Sequence, residues 1–262
     1  MAASSSSICF TGARRGVVGR REPSGDGCEV MSHLASNRTC RITSSTVGTC
    51  QAPCGQRQAM PISSLFPLSG ELLPCDGSAV LVPDFLSDSK ADDFYASLHT
   101  QTPWEQNNIK LFGKQISEPR LSTWHAEAYL PYTYSGVART PHPWNEPLTN
   151  LRTACESHTG QTFNGALLNL YRTGQDAMGW HSDDEAVNGP NPVIASISLG
   201  AERRFDFRHK QTREVVSVVL PHGSLLVMSG ACQTYWLHRI AKTTRQVQSR
   251  INVTFRHLVD VD

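Results

Sequence analysis

The sequence predicts an α+β chain in which two helices precede, and cover one sheet of, a jelly roll or barrel of short strands. Three observations carry this. From Phe163 onward, β-type runs at 166–170, 193–199, 204–208, 215–220, 224–228 and 250–255 are separated by Gly, Pro, Asn and charged clusters. Two of these runs alternate strictly, Arg204-Phe205-Asp206-Phe207-Arg208 and Arg250-Ile251-Asn252-Val253-Thr254-Phe255-Arg256, as strands with two unlike faces do. Before Phe163 the apolar spacing is helical instead.

Residues 1–62 stand apart. They are rich in Ser, Gly, Thr and Arg and poor in large apolar residues, so ordering them would cost more entropy than burial returns. The apolar share of the chain, 39%, fits such a tail beside a packed domain at 63–262. Ser4-Ser5-Ser6-Ser7, Arg14-Arg15 and Arg20-Arg21, with no acid before Glu22, have the composition of an organelle transit peptide. The chain is expected in a plastid or mitochondrion if that segment targets it, and in the nucleus otherwise.

In the domain, 79–82 reads as a strand ended by Pro83, with the folded part beginning near 63–65. Residues 87–98 read as a helix with Ser87 or Asp88 as N-cap and Phe85, Phe94 and Leu98 on its apolar face. Residues 141–147 form a turn-rich break. A second helix spans 148–158, with Leu148, Leu151 and Cys155 at helical spacing and Gly160 as its stop.

Composition narrows the class of protein. At 262 residues the chain can bury a sizeable core. The net charge of +1 argues for no partner by itself, and no apolar run reaches the roughly 18 residues of a membrane span. Of eight cysteines, five fall in the first 60 residues. Cys50 and Cys54 lack a second pair to complete a zinc site, so free thiols are expected.

The chemistry concentrates in Gly179-Trp180-His181-Ser182-Asp183-Asp184-Glu185 and Tyr235-Trp236-Leu237-His238-Arg239. Two imidazoles and one carboxylate can hold a metal on one face and leave the other open, as non-haem Fe(II) requires. In extended chain His181 and Asp183 project to the same side. Alone, H-x-D also fits a polar surface loop, and His238 also fits a core histidine. On the last strand, Arg250, Asn252, Thr254 and Arg256 share one face, and on the strand before the metal segment Asn169 and Tyr171 share another. A barrel lined by two guanidiniums calls for an anion, and a dicarboxylate would pair with them bidentately. The competing expectation is that these faces meet solvent. Arg203, Arg204, Arg208, His209, Lys210 and Arg213 form a basic cluster that could grip phosphates.

Asn169-Leu170-Tyr171, His181-Ser182-Asp183-Asp184-Glu185, His238-Arg239 and the run from Arg250 to Arg256 together resemble the signature of the AlkB family, Fe(II)/2-oxoglutarate-dependent nucleic-acid demethylases. Phe112-Gly113-Lys114, Pro119-Arg120-Leu121, Pro131-Tyr132-Thr133-Tyr134-Ser135-Gly136 and Gly160-Gln161-Thr162-Phe163-Asn164 are similar to its DNA-repair branch. The resemblance implies a double-stranded β-helix (jelly roll) with N-terminal helices packed on one sheet and a nucleotide-recognition lid. It implies Fe(2+) on His181, Asp183 and His238, with O2 and 2-oxoglutarate as cosubstrates. Arg250 would pair with the distal carboxylate of 2-oxoglutarate and Arg256 would lie near its other end. Asn169, Tyr171, Asn252 and Thr254 would line the pocket. On the substrate side, Asp184 would contact the damaged base, Tyr132, Thr133 and Tyr134 would belong to the lid, and Phe112, Gly113, Lys114 and Arg120 would meet the strand. The implied reaction removes the methyl group of 1-methyladenine and 3-methylcytosine in DNA as formaldehyde, by a monomer with no membrane partner. The same chemistry on RNA or a protein side chain, or a non-catalytic nucleic-acid-binding module, are the alternatives. Trp124-His125-Ala126-Glu127-Ala128-Tyr129 departs from the family's usual lid, which leaves the lid's shape open.

Overall fold

The computed structural model describes residues 70–111, 114–127, 132–134 and 137–259. The expected tail at 1–62, the start near 63–65, and Phe112 and Gly113 lie outside these residues. In chain order the elements are β1 (Gly70–Glu71), β2 (Ser78–Val82), α1 (Asp88–Gln101), β3 (Asn108–Leu111), β4 (Lys114–Ser117), β5 (Leu121–Ala126), β6 (Tyr132–Tyr134), β7 (Val137–Arg139) and α2 (Glu146–Thr159). There follow β8 (Gly165–Tyr171), β9 (Met178–His181), β10 (Ile194–Gly200), β11 (Arg203–His209), β12 (Val215–Leu220), β13 (Ser224–Ser229), the one-turn helix α3 (Cys232–Tyr235), β14 (Trp236–Ile240) and β15 (Arg250–Arg256).

Two antiparallel sheets make the jelly roll. The larger runs β1-β2-β13-β10-β15-β8-β5 and the smaller β12-β11-β14-β9, with β3-β4 and β6-β7 as separate hairpins. One apolar layer lies between the sheets and includes Leu81, Trp124, Leu167, Phe205, Phe207, Leu226, Met228 and Trp236. A second joins the outer face of the large sheet to the helices, through Ala91 and Leu98 of α1, Leu148, Leu151 and Cys155 of α2, and Leu168, Ile197, Ile251, Val253 and Phe255 of the strands. The large sheet is therefore covered on both faces, which explains why every residue of β8 is buried.

The first helix runs three residues past its expected end at Leu98, and the second extends at both ends. The second begins at Glu146, inside the stretch expected to be a break. Asn145 is its N-cap and accepts the Leu148 N–H at 3.0 Å. Pro147 sits in the first turn, where the donor it lacks has no intrahelical use. The helix ends as expected on Gly160, at φ 68. Ser87 takes the N-cap position of α1, although its hydroxyl makes no capping bond.

Each expected strand is present. The strands not anticipated are β5, β9 and β14, together with β1 and the two hairpins. Buried Ser122, Thr123 and His125 in β5 hide the alternation that would mark it. Gly165 sits where the indole of Trp124 crosses the neighbouring strand: a Cβ there would lie 2.4 Å from the ring. The cysteines follow the expectation only in part. Cys155 and Cys232 are free and buried, whereas Cys75 is disulfide-bonded.

Candidate active site

The alternation of β15 is what builds the site. Ile251, Val253 and Phe255 point to the helices, so Arg250, Asn252, Thr254 and Arg256 must point into the space between the sheets. Solvent exposure, the competing expectation, is excluded: Arg250 is 1% exposed and Arg256 2%. Antiparallel register places Asn169 opposite Asn252 and Tyr171 opposite Arg250, so β8 and β15 present one continuous polar wall. The opposite wall comes from the small sheet, where His238 on β14 is paired with His181 on β9 and Phe205 stacks on the His238 ring at 5.4 Å. Together these walls bound an open-mouthed cavity between the sheets.

At one end of this cavity His181, Asp183 and His238 converge, with their ligand atoms within 4.8 Å of one another. Each is oriented by a neighbour. The Nδ1 of His181 lies 2.9 Å from the Gly179 carbonyl oxygen, which directs the proton to Nδ1 and leaves Nε2 for a cation. Arg256 Nη2 donates to Asp183 Oδ2 at 2.8 Å, while Asp183 Oδ1 is buried with no hydrogen-bond partner and lies 3.8 Å from His181 Nε2. His238 Nδ1 is likewise buried without a partner. Orphaned polar atoms of this kind are costly in an interior, and a divalent metal would satisfy the free lone pair of Asp183 Oδ1.

Protonation states agree with ligation. Burial pushes the His238 imidazole down to about 3, with His181 beside it adding to the effect, and burial lowers His181 in the same direction. Burial alone would raise the Asp183 carboxyl, yet Arg256, His238 and His181 hold it well below the usual carboxylate range. Near neutral pH the trio is two neutral imidazoles and one carboxylate, the donor set of a facial iron site.

Arg250 lies deeper in the wall. Its Nη2 donates to Ser198 Oγ at 2.9 Å, and its Cζ sits 5.3 Å from the centre of the Tyr171 ring. Nε and Nη1 have no hydrogen-bond partner, and no carboxylate among the described residues pairs with it. Burial lowers the guanidinium to about 10, against the pull of Tyr171, so it stays charged at neutral pH. Asn252 donates to Ser196 Oγ at 2.8 Å and accepts from Thr254 Oγ1 at 3.2 Å, which fixes the middle of the wall.

The substrate-side residues are distributed differently. Arg120 is buried rather than presented at a surface: its Nε donates to Asn169 Oδ1 at 2.8 Å and its Nη2 to Glu118 Oε1 at 3.2 Å, so it braces the cosubstrate wall from behind. Asp184 is exposed and ion-paired with Lys210 Nζ at 3.2 Å. Lys114 opens β4, where it pairs with Leu111 across the hairpin. Tyr132, Thr133 and Tyr134 form β6, paired with β7.

The basic cluster divides. Arg203 is buried and donates to the carbonyl oxygens of Asp176 and Ala241 at 3.0 and 2.7 Å, and His209 is buried beside Asp76. Both serve the fold rather than a phosphate. Arg208 lies over the Trp180 ring at 4.2 Å, and Arg204 pairs with Asp206. Several residues of the site were not singled out in the sequence. Ser196 and Ser198 could have been found from their alternation on β10. Gln233, which accepts the Asp183 N–H at 2.9 Å, and Asn188, which donates to the Asp183 carbonyl at 3.3 Å, could not.

Comparison with known proteins agrees with this geometry. The model of the 2OG-Fe(II) oxygenase superfamily matches residues 78–256. The chain is 40% identical over 186 residues to alpha-ketoglutarate-dependent dioxygenase alkB homolog 3 of Bos taurus, covering 67% of this chain and 64% of that protein. It is 37% identical over 203 residues to DNA oxidative demethylase ALKBH2 of Mus musculus, covering 73% and 83%. It is 33% identical over 204 residues to DNA oxidative demethylase ALKBH2 of Arabidopsis thaliana, covering 68% and 65%. The alkB homolog 3 match thus spans somewhat less than two thirds of that relative's length.

Proposed function

Because the chain belongs to the 2OG-Fe(II) oxygenase superfamily, we propose that it is an oxidative demethylase of N-alkylated bases, 1-methyladenine and 3-methylcytosine, in DNA. The observation that carries the reading is one cavity holding both the His181, Asp183 and His238 cluster and a buried Arg250 that no described carboxylate partners. Such a site suits a metal with open positions beside an anionic cosubstrate. The choice of DNA rests on the AlkB-type motifs and on the names of the relatives.

When bound, Fe(2+) with O2 and 2-oxoglutarate supplies the oxidation that hydroxylates the N-methyl carbon, so that formaldehyde leaves and succinate and CO2 form. The chain's own residues bind and orient. Arg250 takes the distal carboxylate of 2-oxoglutarate through its guanidinium, whose Nε and Nη1 have no partner within the wall. Asn169, Tyr171, Asn252 and Thr254 shape the rest of that pocket. Arg256 holds one oxygen of Asp183 and leaves the other for the metal. Burial keeps His181 and His238 neutral, so each retains a lone pair to donate.

Asp184, next in sequence to Asp183, meets the base. The β6–β7 hairpin carrying Tyr132, Thr133 and Tyr134 acts as the nucleotide-recognition lid. Phe112, between β3 and β4 in sequence, fills the gap left by the extruded base, and Gly113 and Lys114 meet the strand. A base methylated on its pairing edge costs less to extrude than a normal one, and aromatic walls hold it by stacking. The chain works as a monomer.

The test is a panel of single- and double-stranded methylated DNA and methylated RNA, incubated with Fe(II) and 2-oxoglutarate and read as formaldehyde. Release from DNA by the wild type and none by His181→Ala is expected. Equal inactivity of both on every DNA would refute the proposal, and release from RNA alone would redirect it. We assign residues 1–62 to organelle targeting. Fluorescent fusions with and without that segment check this, and identical distributions would remove the assignment.

A further inference from the structure

Resting on the metal reading above, we propose that Gln233 is a positioning residue that aims the Asp183 carboxylate at the metal by holding its main chain. Asp183 lies two residues beyond the end of β9, so no strand neighbour serves its peptide. Gln233 Oε1 accepts the Asp183 N–H at 2.9 Å, and Asn188 Nδ2 donates to the Asp183 carbonyl at 3.3 Å. The peptide is gripped from both sides while Arg256 holds one carboxylate oxygen. The amide orientation is forced, because the partner of Oε1 is a donor. Its Nε2 is left facing the sulfur of Met228 at 3.6 Å, a weak acceptor.

Gln233 is 2% exposed and sits in the single turn of α3. That turn is pressed against Gly77, where a Cβ would fall 2.5 Å from the Cys232 backbone, so α3 cannot drift without a clash. The Gln233 carbonyl also accepts Lys210 Nζ at 2.9 Å, and the same ammonium reaches Asp184 Oδ2 at 3.2 Å. One residue thus fixes two of the loop's three acids, Asp183 through its side chain and Asp184 through Lys210. Without the side-chain acceptor, a buried N–H loses its partner, and the loop must turn to find another. That turn carries the ligand carboxylate with it.

The test compares Gln233→Met, which keeps the volume and removes the acceptor, with Gln233→Glu, which keeps an acceptor at the same reach. Each is titrated with Co(II) in the presence of 2-oxoglutarate, following the visible ligand-field absorption, and each metal-free protein is melted as a control of folding. Weakening of Co(II) affinity by about 10–100-fold is expected for Gln233→Met, as for other groups that orient a metal ligand, with most of it recovered in Gln233→Glu. Wild-type affinity in Gln233→Met, or equal weakness in both variants, would overturn the proposal. Should Gln233→Met melt before titration, Gln233→Asn, whose shorter amide falls short of the N–H, is read the same way. A wild type that gives no Co(II) absorption would remove the metal reading and this inference with it. Wild-type binding with an unchanged Gln233→Met removes only the inference.

Discussion

Replacing Arg250 with Met separates the needs of the cosubstrate from the needs of the fold. Arg250 is 1% exposed, and Nε and Nη1 have no hydrogen-bond partner among the described residues. Its displacement to about 10 corresponds to about 3 kcal/mol against the charged form in the folded state. A cation so displaced costs stability at every pH below about 10, so the effect spans the whole neutral range. Subtracting about 1.5 kcal/mol for the Ser198 hydrogen bond leaves on the order of 1 kcal/mol in favour of Arg250→Met. For a domain of this size that is a rise in Tm of about 2–4 °C. With Mn(II) present to prevent turnover, 2-oxoglutarate at 100 times Kd adds about 2.7 kcal/mol to the wild type, or about 5–11 °C. The variant should melt higher than the wild type without 2-oxoglutarate and gain almost nothing from it. Differential scanning fluorimetry reads both quantities. A lower Tm for the cosubstrate-free variant, or a full cosubstrate shift in it, would refute the reasoning.

Other consequences concern the scaffold. Asp206 would be raised by its burial, but Ser217, Arg204 and Arg239 hold it below the usual carboxylate range. Its contribution is present above about pH 4 and is lost as pH falls through the lower folded value. Asp206→Asn should cost about 1–2 kcal/mol at pH 7, and melting curves of variant and wild type should converge as pH falls through the lowered folded value. Gly165→Ala places a methyl 2.4 Å from the Trp124 ring and should cost about 1–3 kcal/mol in chemical denaturation. Combining it with Trp124→Phe should shrink that cost, and strict additivity would count against the contact. Asn145→Ala removes the cap of α2 and should cost about 1 kcal/mol by urea denaturation, with the iron and 2-oxoglutarate affinities unchanged.

The parts of the fold and site that were legible in the sequence are those where burial alternates with polarity along one strand. β15 is the clearest case. Its apolar residues face the helices, its polar residues face a cavity, and the spacing shows both. β9 and β14, which carry the histidines, were missed as strands because one is four residues long and the other mixes Trp, Leu, His, Arg and Ile without a clean period. The candidate ligands were found anyway, because His181, Asp183 and His238 were read together with the polar faces of β8 and β15 and the family resemblance; His181-x-Asp183 alone fits a surface loop as well. Helix starts were misplaced where a proline looked like a break, although in a first turn it removes no bond. Arg120, expected to meet the nucleic-acid strand, instead bonds Asn169, a partner 49 residues away that no local pattern announces. Gln233 is the limit of this logic. A glutamine makes sense at that position only because a one-turn helix lies against a peptide that no strand serves. That fact belongs to the meeting of α3 with the loop after β9, and no local pattern in either segment encodes it.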